Sequence, residues 1–310
     1  MENMIVLLLA LAIDLALGEF PRHVHPVVWL GKVISLELRV APCQSRWAQL
    51  VYGTGMVILT IALFALPAYF LLAYLRGVNT VAYVLVAAFL LKSTFSIKEL
   101  HRIVFKVKGF LEEGNLSGAR DRVSALVSRN TSKLDEPHLV SATVESAAEN
   151  TSDSVVAPLF YFLLLGVPGA ITYRVVNTFD AMIGYHGEYE YLGKFATRLD
   201  DVLNFIPARI SGLLMVTAAY LCRKDGRNAW QVMLHDHSKT ESPNAGWPMS
   251  ATAGALRTQL EKVGYYSLGN SNNPLSPQLI LSGMKLVEIS ALLWCGFCLI
   301  VEVMHLVFIT

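Results

Sequence analysis

The run from Trp47 to Leu75 contains no charged residue, and the first charge after it is Arg76. A membrane-spanning helix needs about 20 predominantly apolar residues, so this run can cross a bilayer with some tilt. Pro67 lies within it and is expected to kink the helix. Over the whole chain 54% of residues are hydrophobic and 16% are charged, whereas soluble domains carry about 25% charged residues. The composition therefore predicts an integral membrane protein.

Further apolar runs predict additional membrane helices. Gly77–Leu91 follows the first run so closely that the two are expected to form a helical hairpin with its turn at residues 76–79. The uncharged run 154–173 contains helix-breaking residues, namely Pro158, Gly166, Pro168 and Gly169. The remaining candidates are Asn3–Leu17, Val202–Cys222 and Leu286–Ile309. We therefore expect an all-α, polytopic integral membrane protein with broken or re-entrant helices, forming a single membrane-embedded domain over residues 1–310.

Two long polar segments separate the apolar runs. Residues 92–153 are rich in Lys and Arg, with amphipathic helical spacing from Ile97 to Val107. Residues 223–285 are predicted to be loop-like, because Gly, Pro, Ser and Asn cluster there. Their Lys and Arg content predicts two sizeable cytoplasmic loop segments, because cytoplasmic loops are enriched in these residues. The runs 154–173 and 202–222 then either both cross the bilayer or both re-enter it, and we favour re-entry, which leaves all polar motifs on the cytoplasmic side.

Three carboxylates, on Glu145, Glu149 and Asp153, are spaced four residues apart immediately before the run 154–173. On a helix these side chains form one column, rotated by about 40° per step. Like charges at this spacing cost about 0.2–0.5 kcal/mol per pair unless they are neutralised, and more near hydrocarbon. A hard cation such as Mg²⁺, which prefers oxygen ligands, is one explanation. The alternative is a surface helix whose carboxylates pair with Lys and Arg.

A turn near the N-terminus, Gly18–Pro26, follows Asp14 and contains Arg22, His23 and His25. The glycine and prolines give it a defined shape, and the basic side chains can bind an anionic group. An interfacial loop without a binding role explains the same composition, so both interpretations stay open.

Polar residues also lie between the runs 154–173 and 202–222. Asn177 and Asp180 share one helix face, because they are three residues apart. Asp200 and Asp201 are adjacent and cannot both face one point on a helix, so one can ligate a metal while the other caps the helix or pairs with Arg198. The same region carries Arg174, Tyr185 and His186, and Arg209 follows within the run 202–222.

A fourth polar segment, Ser242–Pro248, contains small and turn-forming residues whose backbone N–H groups can hold phosphate. The chain has neither G-x-x-x-x-G-K-[ST] nor G-x-G-x-x-G, so any ATP is bound without a standard phosphate loop. The formal net charge of +1 gives no indication of a nucleic-acid partner. Cys295 and Cys298 have a CxxC spacing without a second pair and are expected to be buried thiols.

The sequence resembles the CbiB family of cobalamin biosynthesis, called CobD in some organisms, over nearly its whole length. The segments that carry this resemblance are Asp14 with the turn Gly18–Val27, then Ser128–Thr131, Glu145–Leu159, Tyr173–Tyr185, Arg198–Val202, Pro207–Arg209, Ser242–Gly246 and Ala253–Leu256. Asn130 and Ser154 stand where the family often has Asp and Gly. The first departure weakens any carboxylate role at position 130.

The resemblance implies an adenosylcobinamide-phosphate synthase. Such an enzyme joins a propionate carboxyl of adenosylcobyric acid to the amine of (R)-1-aminopropan-2-ol phosphate or a related amino alcohol, with ATP as co-substrate and Mg²⁺. The implied partners are the corrinoid, the amino-alcohol phosphate and the lipid bilayer, with association with other corrinoid-pathway enzymes as a further expectation. The implied location is the plasma membrane, in a multi-pass arrangement with the active site on the cytoplasmic side.

With this chemistry, the polar residues receive expected roles. The expected Mg²⁺ ligands are Glu145, Glu149, Asp153 and Asp180. Asp200 or Asp201 is expected to take a proton from the attacking ammonium. Substrate or phosphate binding is expected of His25, Asn150, Arg174, Asn177, Arg198, Arg209, Ser242 and Asn244. The alternatives from other classes are a membrane transporter of a corrinoid or small anion and a scaffold for corrinoid enzymes.

Overall fold

A computed structural model describes residues 1–42, 45–127, 129–185, 187 and 189–309, the last of these by its backbone only. The chain forms two compact units, each assembled from separate stretches of sequence. Unit 1 comprises Met1–Ser96, Ala157–Asn204 and Gly296–Thr310. Unit 2 comprises Ile97–Val156 and Phe205–Cys295.

The described chain is almost entirely helical. Its α-helices are α1 (Glu2–Leu17), α2 (Pro26–Arg39), α3 (Arg46–Val78), α4 (Thr80–Lys92), α5 (Lys98–Glu112), α6 (Leu116–Val123), α7 (Glu136–Thr151), α8 (Ala157–Ile183), α9 (Lys194–Leu203), α10 (Phe205–Leu221), α11 (Gly226–Asp236), α12 (Gly246–Leu256) and α13 (Pro277–Ile309). A π-helical turn, Ser152–Val156, joins α7 to α8. Strands β1 (Leu260–Lys262) and β2 (Tyr266–Leu268) pair antiparallel, with Leu260 opposite Leu268.

Three helical stretches of the described chain are long and apolar enough to cross a membrane: Arg46–Val78, Glu136–Ile183 and Pro277–Phe308. The pair Lys194–Leu203 and Phe205–Leu221, bent by 49°, meets the same criterion when it is counted as one span. The all-α, polytopic membrane class is therefore confirmed. The turn between α3 and α4 is shorter than the predicted turn at residues 76–79. Helix α3 continues through Val78, so only Asn79 separates it from α4.

The predicted interruption of the run 154–173 is present in α8. Gly166 has φ 67° and ψ −161°, so α8 is two helices joined at this residue. Glycine tolerates positive φ, and Pro168, two residues later, has no N–H to continue the hydrogen-bond ladder. The break therefore follows from local sequence.

The interpretation of residues 223–285 as loop-like is wrong. This segment contains α11, α12, the β1–β2 hairpin and the start of α13. Every residue of α12 is buried except Trp247, which is partly buried. Small residues give α12 no apolar periodicity for sequence analysis to detect, yet they allow close approach: a Cβ at Gly254 would lie 2.7 Å from the carbonyl oxygen of Asn228 in α11.

The amphipathic pattern predicted after Lys92 is confirmed by α5. Its buried residues are Leu100, Val104, Val107 and Leu111. They belong to the hydrophobic core of unit 2, to which α7, α10, α11 and α12 also contribute. Glu145 lies on α7 next to residues that belong to this core.

Gly53 provides a stability test for unit 1. A Cβ at this position of α3 would clash with the carbonyl oxygen of Leu192, whereas a Cβ at Gly55 would meet nothing within 4 Å. We expect Gly53→Ala to destabilise the protein by about 1–3 kcal/mol, because backbone atoms must shift. The matched Gly55→Ala is expected to be neutral or to stabilise by up to about 1 kcal/mol through helix propensity. Thermal unfolding in detergent measures both, and equal effects would contradict this packing.

Candidate functional site

A hydrogen-bonded network in unit 1 contains several of the predicted site residues. Asp200, on α9, is buried and accepts hydrogen bonds from Asn177 Nδ2 at 3.4 Å and Asn204 Nδ2 at 2.9 Å. Asn204 Oδ1 in turn accepts from the hydroxyl of buried Tyr173 at 2.9 Å. The neutral amides can thus hold a carboxylate in a defined orientation away from water.

Arg174 extends this network along α8. Its Nη1 donates to Asn177 Oδ1 at 3.1 Å, and its Nε donates to the backbone carbonyl of Thr94 at 2.7 Å. Asn177 therefore connects Arg174 to Asp200. The structure confirms that these three predicted residues lie together, although their roles stay predictions.

Asp180 lies one helical turn after Asn177 and within electrostatic range of both Asp200 and Asp201. Its Oδ1 atom is buried and has no hydrogen-bond partner among the described residues. Asp201 points to a more accessible position, where it accepts a hydrogen bond from Arg198 Nη1 at 3.4 Å. The expectation that one of the two adjacent aspartates pairs with Arg198 is confirmed for Asp201.

A second polar group in unit 1 surrounds Lys92, which is fully buried. Its Nζ lies 3.1 Å from Asp14 Oδ1 and 3.2 Å from Glu19 Oε1. The backbone N–H of Val27 donates to His25 Nδ1, so Nε2 is the nitrogen that donates to Glu19, at 2.5 Å. The contacts of His25 are thus with a carboxylate and a backbone donor, and its predicted role in anion binding stays a prediction.

Sequence analysis missed Lys92, although a signal for it was present. Asp14 and Lys92 are single charges in two separate apolar stretches, and charges in such settings are usually paired. The packing of α1 against α4 brings them together.

The environment of Glu19 leads to a pH prediction. Burial opposes its ionisation, but the hydrogen bond from His25, the nearby Ser96 hydroxyl and the positive charge of Lys92 outweigh burial and lower the pKa of Glu19 to about 2. A carboxyl whose pKa is lowered by folding stabilises the protein fully at pH values above its unfolded pKa, which is 4.5 for Glu19. This stabilisation disappears as the pH falls through the pKa of the folded state. We expect the contribution to be about 3 kcal/mol at neutral pH. Thermal unfolding of wild type and Glu19→Gln should show a stability gap that shrinks between about pH 5 and about pH 2, and a constant gap would contradict this assignment.

In unit 2, Glu145 is the most enclosed member of the predicted carboxylate column. It is 4% exposed and accepts hydrogen bonds from Ser141 Oγ at 2.5 Å, Arg129 Nη2 at 3.2 Å and the Tyr266 hydroxyl at 2.7 Å. Burial and the negative charge of Glu145 raise the pKa of Tyr266, so its hydroxyl remains protonated and donates. The Ser141 hydroxyl also accepts from the backbone N–H of Glu261 on β1, at 2.8 Å. The sequence did not identify these donors as partners of Glu145.

The other two carboxylates of the column lie at the end of α7 and in the π-helical turn that follows it. Glu149 lies within electrostatic range of Tyr266, and Asp153 is the second residue of the turn. Asn150 Nδ2 donates to the carbonyl of Ser146 at 2.9 Å, and its Oδ1 accepts from Ser154 Oγ. The predicted regular helix therefore ends at Thr151, and the wider π-helical turn changes the direction in which Asp153 projects.

The other predicted residues of unit 2 lie near Trp247. The guanidinium of Arg209 lies 4.8 Å from the Trp247 ring centre, and its Nη1 donates to the Phe205 carbonyl at 2.5 Å. Ser242 Oγ accepts from the backbone N–H groups of Asn244 at 3.2 Å and Ala245 at 3.3 Å. Those two N–H groups, which were expected to be available for phosphate, donate to Ser242 instead.

The predicted metal ligands are distributed over both units, with Asp180 in unit 1 and Glu145, Glu149 and Asp153 in unit 2. Within the described parts of the chain, no group of three or more His, Cys, Asp or Glu side chains is arranged to hold a metal ion. Ser128 and His186, which sequence analysis included, lie outside the described residues. Cys295 and Cys298 are buried thiols, as expected.

Comparisons with known proteins give a consistent assignment. A family model described as CobD/Cbib protein matches residues 7–286. A cobalamin biosynthesis protein CobD from Dehalococcoides mccartyi is 51% identical over 294 residues, which cover 95% of this chain and 96% of that relative. A probable cobalamin biosynthesis protein CobD from Methanothermobacter thermautotrophicus is 42% identical, over 95% of this chain and 96% of that relative. Another, from Thermococcus kodakarensis, is 45% identical, over 86% of this chain and 85% of that relative. No solved structure matches the chain.

Proposed function

The chain belongs to the CobD/CbiB family of cobalamin biosynthesis, and we propose that it is an adenosylcobinamide-phosphate synthase. The proposed reaction joins a carboxyl of adenosylcobyric acid to the amine of (R)-1-aminopropan-2-ol phosphate or a similar amino alcohol, at the expense of ATP. A carboxylate is a poor electrophile, so we propose that phosphoryl transfer from ATP first converts it into an acyl phosphate. Attack by the amine then forms the amide, releases phosphate and requires a proton to leave the nitrogen.

The observation that carries this proposal is the Arg174–Asn177–Asp200 network in unit 1. Arg174 supplies a guanidinium, the group best suited to bidentate phosphate binding. Asp200 supplies a buried carboxylate that two amides hold in place, and this carboxylate is the proposed proton acceptor for the amine. The two groups are connected through Asn177, so one compact network combines phosphate binding with proton transfer.

Mg²⁺ is the proposed metal, and the residues differ in how well they fit it. Asp180 fits best, because one of its carboxylate oxygens is buried and has no hydrogen-bond partner among the described residues. Asp200 and Asp201 lie within electrostatic range of Asp180, but the three do not form a ready-made set of ligands. Glu145 does not fit in this arrangement, since Oε1 accepts from Ser141 and Oε2 accepts from Arg129 and Tyr266. Glu149 and Asp153 stay proposed ligands. When bound, Mg²⁺ would neutralise phosphate charge during phosphoryl transfer.

The test is an assay in detergent, where no membrane gradient exists. Purified protein would be incubated with adenosylcobyric acid, aminopropanol phosphate, ATP and Mg²⁺, and the products analysed by mass spectrometry. We expect the mass of adenosylcobinamide phosphate, together with ADP and phosphate, only when ATP is present. If folded protein gives no product with either aminopropanol phosphate or ethanolamine phosphate, the synthase proposal is wrong, and uptake of corrinoid into proteoliposomes would test the transporter alternative.

A further inference from the structure

The short segment Lys92–Ser96 connects two polar groups of unit 1. At one end, the Lys92 ammonium contacts the carboxylates of Asp14 and Glu19. Two residues later, the backbone carbonyl of Thr94 accepts a 2.7 Å hydrogen bond from Arg174 Nε. The segment is tightly enclosed, with Lys92, Thr94 and Phe95 each at most 2% exposed.

The position of Lys92 is set by its charge. A buried ammonium is strongly unfavourable unless it is paired, so Lys92 must lie where Asp14 and Glu19 can reach it. Glu19 is held in turn by His25, and the Ser96 hydroxyl lies beside the same carboxylate. The Glu19 carboxylate therefore pairs with Lys92 at one end of the segment and lies beside Ser96 at the other, and the Thr94 carbonyl that binds Arg174 is between them.

Arg174 is oriented by groups on two sides. Thr94 O accepts from Nε, and Asn177 Oδ1 accepts from Nη1 at 3.1 Å. These bonds lie on different atoms of a planar guanidinium, so together they define the orientation of its plane. A shift of the Thr94 carbonyl would turn Arg174 and weaken bidentate contact with a phosphate.

We infer that Glu19 and Lys92 are positioning residues, which orient Arg174 toward a phosphate group through the Lys92–Ser96 segment. The inference rests on the proposed function, in which Arg174 binds phosphate, and adds the residues that set its orientation. The phosphate belongs either to ATP or to the amino-alcohol phosphate, and separate measurements for the two substrates distinguish these sources.

The first test is a double-mutant cycle between Glu19→Gln and Arg174→Lys. We expect Glu19→Gln to raise the KM of one phosphate-bearing substrate by about tenfold, with kcat little changed. In the Arg174→Lys background the same change should have little further effect, because Glu19 acts through Arg174. Lys92→Arg, which keeps the charge, should retain most of the wild-type affinity. Full additivity, or an unchanged KM in Glu19→Gln, would overturn the inference.

The second test does not depend on activity. Ser93 is 6% exposed, so Ser93→Cys should react slowly with a thiol reagent, as measured by mass spectrometry of the labelled peptide. Adding Glu19→Gln should increase labelling, because the segment is no longer held. The matched control is Glu2→Gln, which removes a carboxylate paired with Arg76 in the same unit and should leave labelling low.

The two tests separate the failure of this inference from that of the proposed function. If the wild-type protein makes no product, the synthase proposal fails, and the labelling alone decides whether Glu19 holds the segment that binds Arg174. If product forms but labelling is the same with and without Glu19→Gln, the positioning role is wrong while the synthase proposal stands.

Discussion

Asp180→Asn is expected to lower turnover by more than about 100-fold, provided that the synthase proposal is correct. The substitution keeps the shape of the side chain but removes the charge of the carboxylate that best fits Mg²⁺. Replacement of residues that only support metal ligands typically costs about 10–100-fold, so loss of a ligand should cost at least as much. The measurement is steady-state formation of adenosylcobinamide phosphate over a range of Mg²⁺ concentrations, and the variant should require more Mg²⁺ than wild type.

Asp201→Asn is the matched control for Asp180→Asn. Asp201 lies in the same carboxylate group, but it is more accessible and paired with Arg198, whose side chain is 76% exposed. Exposed pairs of this kind contribute little, so we expect a loss of turnover below about tenfold. Equal losses in the two variants would contradict the assignment of Asp180, and a larger loss in Asp201→Asn would transfer the proposed role to Asp201. Retained folding would be checked by size-exclusion chromatography and thermal unfolding.

Arg129→Met is expected to destabilise the protein by about 3–5 kcal/mol. The substitution removes the cationic partner of Glu145, whose side chain is 5% exposed, and so leaves a buried carboxylate without charge compensation. The hydrogen bonds from Tyr266 and Ser141 remain, but they are donated by neutral hydroxyl groups. The measurement is the free energy of unfolding, from reversible denaturation in mixed micelles.

Two further variants make the Arg129 prediction specific. Arg102→Met removes an arginine from an exposed pair with Glu99 in the same unit and should cost less than about 1 kcal/mol. Adding Glu145→Gln to Arg129→Met should restore part of the lost stability, because the uncompensated charge is removed. If Arg129→Met costs no more than Arg102→Met, the buried pair does not stabilise unit 2.

The Arg129–Glu145 pair and α12 show where inference from sequence stopped. The acidic column could be seen along one helix, but its partners Arg129 and Tyr266 are 16 and 121 residues away from Glu145. Helix α12 consists mainly of small residues, so its burial depends on close packing against α11 rather than on an apolar stripe. In both cases the information lies in distant contacts.

The sequence by itself determined the membrane class, the break in α8 and the amphipathic face of α5, because run length, Gly–Pro chemistry and periodicity are local properties. It also indicated the family, through motifs that keep their order along the chain. Only the tertiary structure decided that Lys92 pairs with Asp14 and Glu19, that Asp201 rather than Asp200 pairs with Arg198, and that hydrogen-bond donors occupy both oxygens of Glu145. The physical reason is that a buried charge must be compensated by whichever groups the packed helices bring within a few ångströms, and sequence spacing does not specify those groups.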